Sequence, residues 1–290
     1  MIDLHMHSTY SDGSLTPAEL LDLAEAKGLK ILSVTDHSNV RAYQELEDPA
    51  VRKRFSGRLL RGCEFSTRVR NQNVEVLGYG IDLAPVQAFF AERKKKFPDV
   101  MLAELALIYA AYKERGVRLD WPQEEFSREK HISAKRYVLA QLRAFEENKR
   151  FCLDPKNLSE PVRYYRRELY NPKSPLYVDY SPLSTAPEEI IGLIHRAGGK
   201  AFLAHCYQYT PDITDHLEEI VGEMKLDGIE CYYSTFTPAQ TAELLALCDR
   251  NHLLVSGGSD FHGALRPEVE MGCIAADPHR MEWIENFEKV

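Results

Sequence analysis

Short apolar runs that stop at a histidine or a carboxylate constrain this chain more than any other feature. Met1-Ile-Asp-Leu leads into His5-Met6-His7, and Ile31-Leu-Ser-Val leads into Thr35-Asp36-His37. Leu59-Leu60 leads into Gly62-Cys63-Glu64, and Ala201-Phe-Leu-Ala ends at His205. Leu253-Leu-Val-Ser-Gly-Gly-Ser leads into Asp260-Phe261-His262. Runs of this length, bounded by turn residues, read as buried strands. The pattern predicts strands over 1–7, 31–37, 59–66, 74–81, 200–205, 228–233 and 253–256. Amphipathic stretches between them predict helices over 18–27, 187–197 and 238–251. Three helix starts are marked by the same box with a proline in the first turn: Thr16-Pro-Ala-Glu19, Thr185-Ala-Pro-Glu188 and Thr237-Pro-Ala-Gln240. Strands and helices alternating at this length imply a parallel sheet, either open or closed into a barrel.

In parallel α/β sheets and barrels the C-terminal strand ends form the active face. The residues gathered at those ends here are His5, His7, Asp12, His37, Glu64, His205, Asp260 and His262. His5 and His7 alternate along one strand, so both rings project the same way and can reach one cation. A single strand-end histidine or aspartate is usually a turn or cap residue. Five separate strand ends making the same choice is a different matter, and eight donors exceed the needs of one ion. Asp36 either orients a ligating histidine or simply turns the chain. His131, His195, His216, His252 and His279 stand in helical or loop contexts and read as surface residues.

Residues 88 to about 174 change character. Helices are predicted over 100–115 and 134–150, with no convincing strand, so this segment reads as a helical insertion between the α/β segments 1–87 and 175–290. Charge changes with it: residues 89–170 hold 18 Lys and Arg against 13 Asp and Glu, whereas the remainder holds 18 against 31. The overall charge of -8 argues against binding a long nucleic-acid duplex. No apolar run approaches the roughly 18 to 20 residues that span a bilayer, and no signal peptide precedes His5. The six cysteines contain no CxxC pair, which points to reduced thiols in a cytoplasmic protein.

The segments DLHMHSTYSDGSLTPAEL, SVTDHS, GCEFS, GGKAFLAH and GGSDFHG, in this order, resemble the polymerase-and-histidinol-phosphatase (PHP) family. The likeness is greatest to its small bacterial members that act on nucleotide or RNA phosphates. It covers residues 1–82 and about 175–265. It implies a distorted (β/α)7 TIM-like barrel carrying two or three divalent ions, commonly Mn, Fe or Zn. By resemblance, His5, His7, Glu64 and Asp260 would hold one ion, and Asp12, His37 and His262 another. Glu64 and His205 would help hold a bridging one. One position departs. Where the family has His in a His-hydrophobic-hydrophobic-Gly segment, this chain has Glu75-Val-Leu-Gly78, a carboxylate that favours harder ions such as Mn over Zn. The insertion departs too, with Ala134-Lys135-Arg136 where an Arg-x-His is usual.

The reading is a hydrolase that cleaves a nucleotide or other small phosphate ester through a metal-bridged hydroxide. Asp260, His262 and His205 are the candidate catalytic residues, with Asp260 or His262 also moving a proton. Lys135 and Arg136 are candidate contacts to a substrate phosphate. Cyclic phosphates and histidinol phosphate fit the same site. The rival readings are a metal-bound PHP module without turnover and an amidohydrolase-type C–N hydrolase.

Overall fold

A computed structural model describes residues 1–97, 99–120 and 133–287; His131 lies outside the described residues. The chain is an α/β protein that divides into two compact units, Met1–Glu92 with Thr185–Val290 and, separately, Arg93–Ser184.

The first unit holds eight described strands: β1 (Ile2–Asp3), β2 (Ile31–Leu32), β3 (Arg58–Leu59), β4 (Gly62–Val69), β5 (Gln72–Tyr79), β6 (Lys200–Leu203), β7 (Gly228–Tyr233) and β8 (Leu254–Gly258). They form a parallel sheet in the order β1-β2-β3 and a five-stranded sheet in the order β4-β5-β6-β7-β8. The all-parallel expectation needs correcting. β5 runs antiparallel to both β4 and β6, while β6, β7 and β8 are parallel. The cause is a two-residue hairpin. Arg70 and Asn71 take positive φ of 47° and 59°, the twist that joins neighbouring antiparallel strands, and no helix intervenes. Two isolated parallel bridges link residues beyond β1 and β2 to the other strands: Met6 with Phe261, past the end of β8, and His37 with Glu64 in β4.

Helices form where their start signals stand, with one exception. Pro17–Ala26 and Pro238–Asn251 begin at capping boxes in which Thr16 and Thr237 accept from the third-residue N–H and Glu19 and Gln240 reach back. Pro187–Arg196 does not use Thr185. Its cap is Ala186 without a side-chain bond, and Thr185 is buried with its carbonyl accepting from Thr67 Oγ1 at 2.7 Å. β5 has two faces: Val74 and Val76 pack in the main apolar core, whereas Leu77 and Tyr79 pack in a smaller cluster with Phe202 and Trp283. Glu75 shares the Leu77 face because alternate strand residues project together. On β7, Ile229 and Cys231 enter the main core and Glu230 faces the other way.

The second unit has its own core of Leu105, Ile108, Tyr112, Val138, Leu139, Leu142, Tyr164, Leu169 and Leu176. Its helices include Val100–Glu114 and Ala134–Ala144. The helix expected over 134–150 breaks at Phe145, whose backbone is extended, and resumes as a 3-10 turn over Glu146–Phe151. Tertiary contacts hold the break: Asn148 bonds both the N–H and the carbonyl of Arg118, whose guanidinium lies 4.1 Å from the Phe145 ring centroid.

Candidate metal centre

The chain stitches two strand ends side by side to start the site. His7 N–H donates to Phe261 O at 2.9 Å and Asp260 N–H donates to His5 O at 2.8 Å, so His5-Met6-His7 and Asp260-Phe261-His262 run together. Gly258 permits this approach: a Cβ there would lie 2.1 Å from His5 Cβ. Asp260 and His205 both take positive φ, 59° and 25°. Such backbone is strained for residues other than glycine and is held only where the surroundings fix it.

His5, His7 and Glu64 have no solvent exposure, and Asp260 is buried. His5 Nε2 is 3.5 Å from Glu64 Oε2 and 3.4 Å from Asp260 Oδ1. His7 Nε2 is 3.3 Å and 3.1 Å from the same two oxygens. Donor atoms sharing a cation at about 2.0–2.2 Å are separated by about 3 to 3.5 Å. His7, Asp12, His37 and His262 form a second group, His5, Glu64 and His205 a third, and His37, Glu64 and Glu75 a fourth. All nine donor residues singled out in the sequence, Glu75 included, therefore converge. Glu75 Oε2 is 3.1 Å from His205 Nε2, and its Oε1 is 3.8 Å from His37 Nδ1.

A divalent ion fits this arrangement on a specific observation. His5 Nε2, His7 Nε2, His262 Nε2 and Glu64 Oε2 are buried atoms that no well-directed hydrogen bond satisfies, although other donor-cluster atoms crowd them at 2.9–3.5 Å, an expensive state for polar atoms unless something else satisfies them. The proton equilibria show the same crowding. Burial would lower the pKa of His5, but the Glu230, Glu64 and Asp260 carboxylates outweigh it and raise it well above the imidazole range. Burial likewise opposes the rise at His37, but Glu64 drives it to about 9; Glu64 and Glu75 overcome burial at His205 and raise it to about 10. Burial pushes Asp12 up, yet His262 and His37 bring it down to about 2. Asp260 is lowered despite burial by His5 and His7.

The sequence reading missed Glu230. Its Oε1 is 2.9 Å from His5 Nδ1, and its Oε2 accepts from His205 N–H at 2.7 Å, so it fixes one ring and one strained turn at once. The available signal was a carboxylate inside Gly228-Ile-Glu230-Cys-Tyr-Tyr, an otherwise apolar strand. Asp3, equally buried, accepts from Ser259 and Gly272 and anchors the 259–272 loop. Asp36 accepts from Ser8 N–H, Ser8 Oγ and Ser11 Oγ at 2.6–2.8 Å, and Ser11 Oγ lies 3.3 Å from His7 Nδ1. It shapes the 8–11 turn and reaches His7 only through Ser11. His195, His216, His252 and His279 are exposed. In the second unit, Lys135 Nζ donates to Tyr170 OH at 2.8 Å and is 3.2 Å from Glu104, while Arg136 is exposed.

Residues 3–244 match the model of the PHP domain family. The chain is 30% identical to the 5′-3′ exoribonuclease Rnm of Escherichia coli over 281 residues, 93% of this chain and 87% of that protein. It is 28% identical to the 3′,5′-nucleoside bisphosphate phosphatase of Chromobacterium violaceum, over 90% of this chain and 87% of that one. A solved structure described as an amidohydrolase of Chromobacterium violaceum, with bound sulfate and no metal, superposes with a TM-score of 0.63 at 25% identity, covering 98% of this chain and 96% of that one. The chain belongs to the PHP domain family.

Proposed function

We propose that this metal-dependent phosphoesterase removes phosphate from a nucleoside bisphosphate or from a short RNA end. The hydrolase class rests on the family match and on relatives that all cleave phosphoester bonds. The observation that carries the site is the set of buried atoms on His5, His7, His262 and Glu64 that crowd one another without a well-directed hydrogen bond. His5, His7, Glu64 and Asp260 would hold one ion, and Asp12, His37 and His262 a second. Glu64, His205 and Glu75 would hold a third, with Mn favoured by the extra carboxylate. Such ions supply Lewis acidity that acidifies water and offsets phosphoryl charge.

The protein's own groups do the rest. Glu230 keeps His5 Nδ1 occupied, so Nε2 is left to face the donor cluster. Asp260 presents Oδ1 to the histidines, while its Oδ2 accepts from Tyr233 OH at 2.8 Å. His262, whose Nδ1 contacts Asp260 O at 2.8 Å, is held with its Nε2 facing the donor cluster. The first unit reads as a distorted seven-stranded barrel in which β3 and β4 count as one bent strand, a reading supported by the two isolated bridges. The insertion would handle substrate, with exposed Arg136 the better candidate and Lys135 engaged by Glu104 and Tyr170. A reducing, cytoplasmic setting fits six unpaired thiols; among the described residues no helix is long and apolar enough to cross a membrane.

A phosphate-release screen with Mn tests the reading, using nucleoside 3′,5′-bisphosphates, 5′-phosphorylated oligoribonucleotides, cyclic phosphates and histidinol phosphate. Release from the first two classes is expected. Turnover confined to histidinol phosphate, or to none, would overturn it.

A further inference from the structure

A cleft of about 400 Å³ opens beside the donor cluster and shares Glu75, His205 and Asp260 with it. Its remaining wall includes Gln208, Tyr209, Tyr233, Thr235, Arg266 and Glu268. Three carboxylates therefore border a space that must admit a phosphate ester, itself an anion. Of the described residues lining it, Arg266 alone carries a fixed positive charge. Arg266 Nη1 donates to Asp260 Oδ2, the oxygen turned away from His5 and His7, and the side chain is 42% exposed. One carboxylate thus faces the donor cluster with Oδ1 and tethers a guanidinium with Oδ2. A guanidinium has five N–H donors, and only one is used by Asp260.

We propose that Arg266 binds the phosphoryl group undergoing hydrolysis. Asp260, itself held by the Tyr233 hydroxyl, keeps the head of its side chain beside the donor cluster, and its free N–H groups are available to the cleft. This inference rests on the phosphoesterase reading above and assigns that site its protein-borne phosphate contact. Charge-assisted, paired N–H···O bonds are the geometry in which arginine recognises phosphate, and lysine reproduces the charge without the fork. Holding the guanidinium on an ionised carboxylate before substrate arrives reduces the ordering cost on binding.

The test uses the full Mn-loaded protein and the variants Arg266→Gln and Arg266→Lys, with three readouts: metal content, calorimetric affinity for inorganic phosphate, and steady-state kinetics on the best bisphosphate substrate. Arg266→Gln should weaken phosphate binding and raise KM by about 10- to 100-fold with metal content unchanged, and Arg266→Lys should recover part of the loss. Unchanged phosphate affinity in Arg266→Gln, or weakening matched by metal loss and absent per loaded site, would leave Arg266 as a mere tether for Asp260. The calorimetric comparison decides this even if wild type hydrolyses none of the screened esters, an outcome that would sink the phosphoesterase reading separately.

Discussion

At the scale of single residues, the site separates donor atoms that converge on one another from groups that aim them. Glu75 faces His205 and His37 with both of its oxygens. Glu75→Ala should therefore lower metal stoichiometry after Mn reconstitution, and Glu75→His should restore occupancy while shifting preference toward Zn. Unaltered stoichiometry and preference in both variants would remove Glu75 from the ligand set. Glu230 acts at one remove, since its two oxygens are engaged by the His5 ring and the His205 N–H. Glu230→Gln keeps the shape but weakens the acceptor, and metal affinity should fall about 10- to 100-fold by titration with the fold retained. Most donors were legible because they follow an apolar run at an expected strand end; Asp12 stands in a turn, and Glu75, inside β5, was marked only by the resemblance. Glu230 was not legible, because it lies inside its strand and its value depends on a partner 225 positions away.

Among the elements, local signals were read where a local interaction decides the structure, and misread where the surroundings decide it. The boxes at Thr16 and Thr237 close on themselves within four residues. Thr16→Ala or Thr237→Ala should each cost about 1 kcal/mol in chemical denaturation, while Thr185→Ala, which removes no cap, should leave the start of Pro187–Arg196 intact by amide exchange. The β4–β5 hairpin escaped notice because arginine occupies a turn position that usually shows asparagine or glycine. The break at Phe145 has no glycine or proline to announce it; it depends on Asn148 and Arg118, contacts only the folded chain supplies. Gly258 is where element and site meet. Gly258→Ala would drive a Cβ into His5, so it should destabilise by about 1 to 3 kcal/mol and lower metal content together, as a melt and elemental analysis of one preparation would show.

For the whole molecule, the gathered carboxylates and imidazoles make stability depend on pH and on metal jointly. His37 and His205 bind protons more tightly when folded, with pKa of about 9 and about 10 against about 6.5 in an unfolded chain. Their contribution to the metal-free protein is full below about pH 6.5 and is lost as pH rises through about 9 to 10. Asp12, held at about 2, contributes above about pH 4 and loses its share only as pH falls toward 2. Metal binding requires the same imidazoles deprotonated and so releases protons. The Tm gap between Mn-loaded and metal-free protein should widen steadily from pH 6 to 9; parallel curves would mean the ions bind elsewhere. The central claim is that these nine residues form a multinuclear metal site that hydrolyses phosphate esters. Elemental analysis of Mn-reconstituted protein, paired with phosphate release before and after chelation, tests it most directly. At least two equivalents per chain, lost on chelation together with activity, are expected. Under one equivalent on a normally folded chain, with phosphate release untouched by chelation, would contradict it.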